Sequence, residues 1–135
     1  MAGYSGTPLV QKLGIKPDAR VHFADAPADF ATTLRPLPAG VEQVGGAAKN
    51  LDFAVLFVAD RAALTKQFAK LAARLRKAGM LWVAWPKKAS GVPTDLTENV
   101  VRDLGLAAGL VDVKVCAIDE TWSGLKFVYR LKDRG

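Results

Sequence analysis

The side chains able to do chemistry are few in this chain. There is one histidine, His22, and one cysteine, Cys116. A conventional zinc site needs three or four His, Cys or acidic ligands, so no metal is expected. A Ser-His-Asp relay would have to run through His22, which sits mid-strand in "RVHF", where a packed or edge imidazole is the commoner role. Cys116 has no partner for an internal disulfide. What remains is clusters. "PKKASG" sets Lys87 and Lys88 before Ser90 and Gly91, two cations and a glycine turn whose backbone N–H groups suit an anion. "DETWSG" holds Asp119, Glu120, Trp122 and Ser123. A tryptophan in so short and polar a turn either covers a sheet end or walls a pocket. Asp25, in "FADAPADF", is the remaining candidate. No motif assigns a catalytic residue.

The elements that must position these groups follow from patterning. The 135 residues suit one domain, residues 1–135. The longest apolar runs, Phe53–Ala59 and Met80–Trp85, fall far short of the ~20 residues of a membrane span. "MAGYSGTPLV" has no basic segment followed by an apolar core, so no secretory signal and a cytoplasmic location are expected. "TPLVQKLG" reads as a short helix capped by Thr7, with Pro8 at its first position and Gly14 as its stop. "RVHFA" is a short strand, and a helix should begin at Asp25–Pro27 and end before Pro36 or Pro38. "GVEQV" is a weak strand. "LDFAVLFVA" and "MLWVAW" are continuously apolar, as in strands covered on both faces. Between them, Leu64, Phe68, Leu71 and Leu75 share one helical face, with Asp60 as N-cap and Gly79 as stop. Asp95 and Glu98 fit a capping box for a helix buried through Leu96, Val100 and Leu104 and ended by Gly109. In "VDVKVCAID", Val111, Val113, Val115 and Ala117 alternate with polar residues. "LKFVYRL" alternates likewise, and the few residues between predict an antiparallel hairpin.

Strands alternating with helices predict a three-layer α/β fold around a mostly parallel sheet of about six strands, ending in the hairpin. A parallel sheet closed by a reversed last strand, with the run Leu51–Pro86 at its middle, is similar to class I methyltransferase domains, a Rossmann-like fold. That resemblance implies central strands at Phe53 and Leu81 and the hairpin at one edge. The chain departs from the family after its first strand. "FADAPADF" has no glycine, Pro27 removes an N–H, and no acid ends the second strand, although Glu42 lies near that place. Through "YSGTPLVQKLGIKP", "LWVAWPKKASGVPTDLTENVVR" and "GLVDVKVCAIDETWSGLKFVYR" the chain also resembles small bacterial proteins of the domain of unknown function 3052. This second resemblance implies a single small domain and no defined activity or cofactor.

In open parallel sheets ligands bind beyond the carboxyl ends of the strands. Asp25, Asp60, Lys87, Lys88, Ser90, Gly91, Asp119, Glu120, Trp122 and Ser123 should share that rim. Helix capping is the simpler role for Asp25, Asp60 and Asp95. The expected function is a non-catalytic module that binds a small anionic or polar ligand at the rim, without a cofactor. Three alternatives stand beside it. One is a methyltransferase using S-adenosylmethionine through an atypical loop. Another is nucleic-acid binding by Lys66, Lys70, Arg74 and Lys77, part of the run from Arg61 to Lys88 that carries eight basic residues and no acid in a chain of net charge +6. The last is pairing with a partner, or with a second copy, along the edge strand around Val113–Ile118.

Overall fold

Burial of two continuous apolar strands organises the molecule. The computed structural model describes residues 8–45 and 47–133, so Thr7 lies outside the described residues. In chain order the elements are α1 (Leu9–Leu13), β1 (Arg20–Ala24), α2 (Phe30–Leu34), β2 (Glu42–Gln43), β3 (Leu51–Phe57), α3 (Arg61–Arg74), β4 (Leu75–Pro86), α4 (Glu98–Ala107), β5 (Leu110–Ala117) and β6 (Trp122–Tyr129). They build one six-stranded sheet in the order β2-β1-β3-β4-β6-β5. β1 runs parallel to β2 and β3, and β3 parallel to β4. β6 is antiparallel to both β4 and β5. The apolar strands β3 and β4 are central, and the hairpin forms one edge. α1 and α2 cover one face over Val21, Phe53, Val55, Phe57 and Trp82. α3 and α4 cover the other over Ala54, Leu56, Leu81, Val83 and Phe127. No helix among the described residues is long and apolar enough to cross a membrane.

Several boundaries differ from the pattern reading. α3 ends at Arg74, not at Gly79, because Leu75 is already extended (φ −73°, ψ 143°) and pairs with Leu51 of β3. Leu75 is buried in either conformation, so apolar periodicity alone does not distinguish them. Gly79 is no helix stop. A Cβ there would lie 2.6 Å from the Leu51 carbonyl oxygen, beside a register shift between Leu51 and Phe53. Glycine at this point permits the close backbone approach of a strand irregularity. α2 begins at Phe30, after Asp29, and stops where Arg35 turns extended before Pro36. Gly14 does close α1 in the left-handed conformation (φ 86°), while Pro8 precedes the first helical residue.

The box of Asp95 and Glu98 is also replaced. Thr97 is the N-cap of α4, its hydroxyl accepting from the Val100 N–H at 3.2 Å. Asp95 instead accepts from the Arg61 N–H at 2.8 Å and caps α3, together with Asp60, which accepts from Ala63 at 2.7 Å. The buried line of α4 is Val101 and Gly105, with Val100 and Leu104 at its margin and Leu96 buried ahead of the helix. Gly109 follows its last turn at φ 98°. We expect Thr97→Ala to cost about 1 kcal/mol in urea denaturation, as for other N-caps. In hydrogen exchange Thr97→Ala should expose the first turn of α4, and Asp95→Ala the first turn of α3. A capping box would make both act on α4.

β5 is the outer strand. Its ladder slips between Asp112 and Lys114, which breaks the expected alternation and leaves Val113 and Val115 53% and 48% exposed.

Candidate functional site

β1 and β3 are neighbours in the sheet, yet the chain leaves them in opposite directions. β1 feeds α2 and β2, whereas β3 feeds α3 and β4. A crevice forms beyond the carboxyl ends of strands that part in this way. On the β1 side stands Asp25, with left-handed backbone at φ 56°. Aspartate tolerates this region better than most residues because its short side chain bonds locally. Its carboxylate accepts from the Gln67 amide at 3.1 Å, so Asp25 is not a helix cap. On the β3 side the Thr94 hydroxyl donates to the Ala59 carbonyl, and Asp60 and Asp95 occupy N–H groups that open α3. Glu42 lies away from this rim. It begins β2 level with Arg20, at the amino end of β1, and pairs with that arginine at 3.2 Å.

The two loops singled out in the sequence do meet. Pro86 pairs with Trp122 and Trp85 with Ser123, and the Lys87 N–H donates to the Thr121 carbonyl at 2.8 Å. Most of their polar groups are used internally. The Ser90 hydroxyl donates to the Lys87 carbonyl at 2.6 Å and accepts from the Val92 N–H at 3.2 Å. Gly91 closes a single 3-10 turn, Lys88–Ser90, in left-handed backbone, well ahead of α4. One carboxylate oxygen of Asp119 accepts from the N–H groups of Thr121 and Trp122, both at 2.8 Å. The Trp122 ring stands edge-on to Phe57 at 5.0 Å and extends a chain of aromatic contacts through Phe30, Phe23 and Phe53. It therefore covers the end of the sheet. Lys87 is half-buried, whereas Lys88 and Glu120 are exposed.

A cleft of ≈ 450 Å³ runs from Asp25 down the sheet face between β1 and α3, within the usual size range of small-molecule pockets. His22, Gln67, Lys70, Leu71 and Arg74 line it. The helical residues fall at i, i+3, i+4 and i+7, one stripe of α3. That spacing is visible in the sequence, but nothing there says that the stripe faces His22. The stripe also divides the basic face proposed for nucleic acid. The Arg74 guanidinium turns inward to the carbonyls of Ala48 at 2.6 Å and Gly45 at 2.8 Å, and burial lowers its pKa from the ordinary value. Lys77 lies beyond the helix, its ammonium 4.8 Å from the centroid of the Tyr129 ring. Cys116 is a free thiol, and burial raises its pKa despite the positive charges of Lys114 and Lys12.

This fold recurs in solved structures. A 1,6-didemethyltoxoflavin-N1-methyltransferase from Burkholderia thailandensis, with S-adenosylhomocysteine bound, superposes with a TM-score of 0.56 at 15% identity, over 89% of this chain and 76% of its own. A S-adenosylmethionine-dependent methyltransferase from Aquifex aeolicus gives 0.59 at 12% identity, over 88% and 86%. Fibrillarin from Aeropyrum pernix, with natively bound S-adenosyl-L-methionine, gives 0.60 at 12% identity, over 93% and 70%. The chain has the methyltransferase-like Rossmann fold. At these identities the likeness is one of fold. No protein-family model matches the chain and no curated protein matches it in sequence, so the resemblance to the domain of unknown function 3052 gains no support.

Proposed function

We propose that the chain is a methyltransferase domain that binds S-adenosylmethionine at the crevice between the carboxyl ends of β1 and β3, through a cofactor turn built without glycine. The observation that carries this reading is Asp25. Its φ of 56° supplies the left-handed turn that glycine adopts without strain, and it does so at the point where the sheet reverses. Its carboxylate, exposed at the crevice, is suited to a ligand ammonium or hydroxyl group. The short β2 and the placement of Glu42 at the wrong end leave a ribose without the acid that usually holds it, so Asp25 takes the larger share of recognition. When bound, the cofactor supplies an electrophilic methyl group. The protein's part is to orient it and to admit an acceptor. Lys87, Lys88, Ser90 and Gly91 on one loop, with Asp119, Glu120, Trp122 and Ser123 on the other, form the neighbouring stretch of rim. There the two lysines favour an anionic acceptor.

Titration calorimetry with S-adenosylmethionine and S-adenosylhomocysteine tests this. The wild type should bind with a Kd on the order of 10–100 µM. Asp25→Gly keeps the turn and the stability but should weaken binding about ten-fold, the loss of one charge-assisted hydrogen bond. Absence of heat at millimolar cofactor, in a sample folded by circular dichroism, would sink the proposal.

A further inference from the structure

We infer that the cleft between β1 and α3 is a second site, independent of the cofactor reading, for a small ligand bearing a phosphate or carboxylate group. The fold leaves this cleft open. β2 is only two residues long, and no helix lies between β2 and β3 among the described residues, so beside Ala24 and Leu71, which are buried in one core cluster, the α3-facing side of β1 meets the polar residues of the α3 stripe.

Three basic groups converge there from two distant segments. The Nδ1 of His22 lies 2.9 Å from the Val44 carbonyl oxygen. A carbonyl only accepts, so Nδ1 carries the hydrogen and the ring orientation is held. Nε2 then carries the lone pair and accepts, with no protein partner among the described residues, so the ligand must bring the hydrogen, as the hydroxyl of a monoprotonated phosphate does. Arg74 spends its Nε and one terminal nitrogen on two backbone carbonyls, which fixes the guanidinium plane and leaves the other terminal nitrogen to a ligand. Lys70, one turn earlier on the same stripe, has no ion pair among the described residues. The one acid in the cleft, Asp25, stands at its mouth with Gln67 bonded to it. A fixed imidazole acceptor, a fixed guanidinium and an exposed ammonium suit an oxyanion that also carries a hydroxyl, as hydrogen phosphate does. The arginine supplies planar geometry and the lysine a point charge.

The protein's one histidine makes the test direct. Imidazole nitrogen resonances are followed while inorganic phosphate, acetate or chloride is added at matched ionic strength. We expect a saturable shift of His22 with phosphate, weaker with acetate and absent with chloride. A preference for acetate over phosphate would assign the cleft to carboxylate ligands. Lys70→Ala, an exposed position, should weaken the phosphate response at least about five-fold and leave S-adenosylmethionine binding unchanged. Shifts that are linear in salt and equal for all three anions, or a Lys70→Ala response equal to the wild type, would overturn the site. A protein that binds the cofactor but not phosphate overturns this inference alone. One that binds phosphate but not the cofactor overturns only the methyltransferase reading.

Discussion

Replacing Trp82 by alanine should lower the free energy of unfolding by about 3–5 kcal/mol, the range for removing a large buried aromatic side chain. Trp82 is fully buried in β4, at the centre of the face under α1 and α2. Its indole Nε1–H donates to the Leu13 carbonyl at 2.9 Å, near the end of α1. A five-residue helix has too few hydrogen bonds to hold itself together, so this contact, with burial of Val10 and Leu13, anchors it to the sheet. Trp82→Phe separates the two contributions. It keeps much of the ring but leaves the Leu13 carbonyl without its donor, a loss of about 1–3 kcal/mol. Urea denaturation measures both variants, and hydrogen exchange locates the damage. Trp82→Phe should loosen α1 ahead of the sheet. An unchanged α1 in a destabilised Trp82→Phe protein would show that ring volume, not the hydrogen bond, is what matters.

A net destabilisation of about 1–3 kcal/mol is expected for Gly105→Ala, although alanine is the better helix former. Gly105 sits on the buried side of α4 against β6. A Cβ built there would lie 2.1 Å from Cε1 and 2.5 Å from Cζ of Phe127. The Phe127 ring is itself fully buried and stands edge-on to Phe68 of α3 at 5.2 Å, so it has little room to retreat. Helix α4 must move away from the sheet, or the ring must leave its rotamer. Gly45→Ala is the control, since a Cβ there meets nothing within 4 Å and its φ is not positive. By reducing the freedom of the unfolded chain it should be neutral or slightly stabilising. Thermal melts should therefore fall for Gly105→Ala and hold or rise for Gly45→Ala.

Both sites show where pattern ends and packing begins. The run "LDFAVLFVA" announces a strand buried on both faces because every position is apolar, and β3 is that strand. The hairpin of β5 and β6 was legible because so short a polar link leaves no room for a crossover helix. Asp60 was legible as a cap because capping is local: the side chain and the N–H it satisfies lie three residues apart. The role of Asp95 escapes local spacing for the converse reason. Its partner, Arg61, is thirty-four residues away. The stretch after Arg74 reads locally as helix because Leu75 is buried as the end of a helix or as the start of a strand. Only its pairing with Leu51 decides.

The candidate site divides along the same line. Apolar alternation and turn chemistry, which act over a few residues, determined that this is an α/β sheet, that it ends in a hairpin, and that the loops at Lys87–Gly91 and Asp119–Ser123 meet at one rim. The left-handed turn at Asp25, the inward set of Arg74, and the opening of a cleft beside His22 were decided by tertiary structure. Each depends on how far β2 extends and on which face of α3 meets β1, and those are long-range contacts that no local spacing encodes.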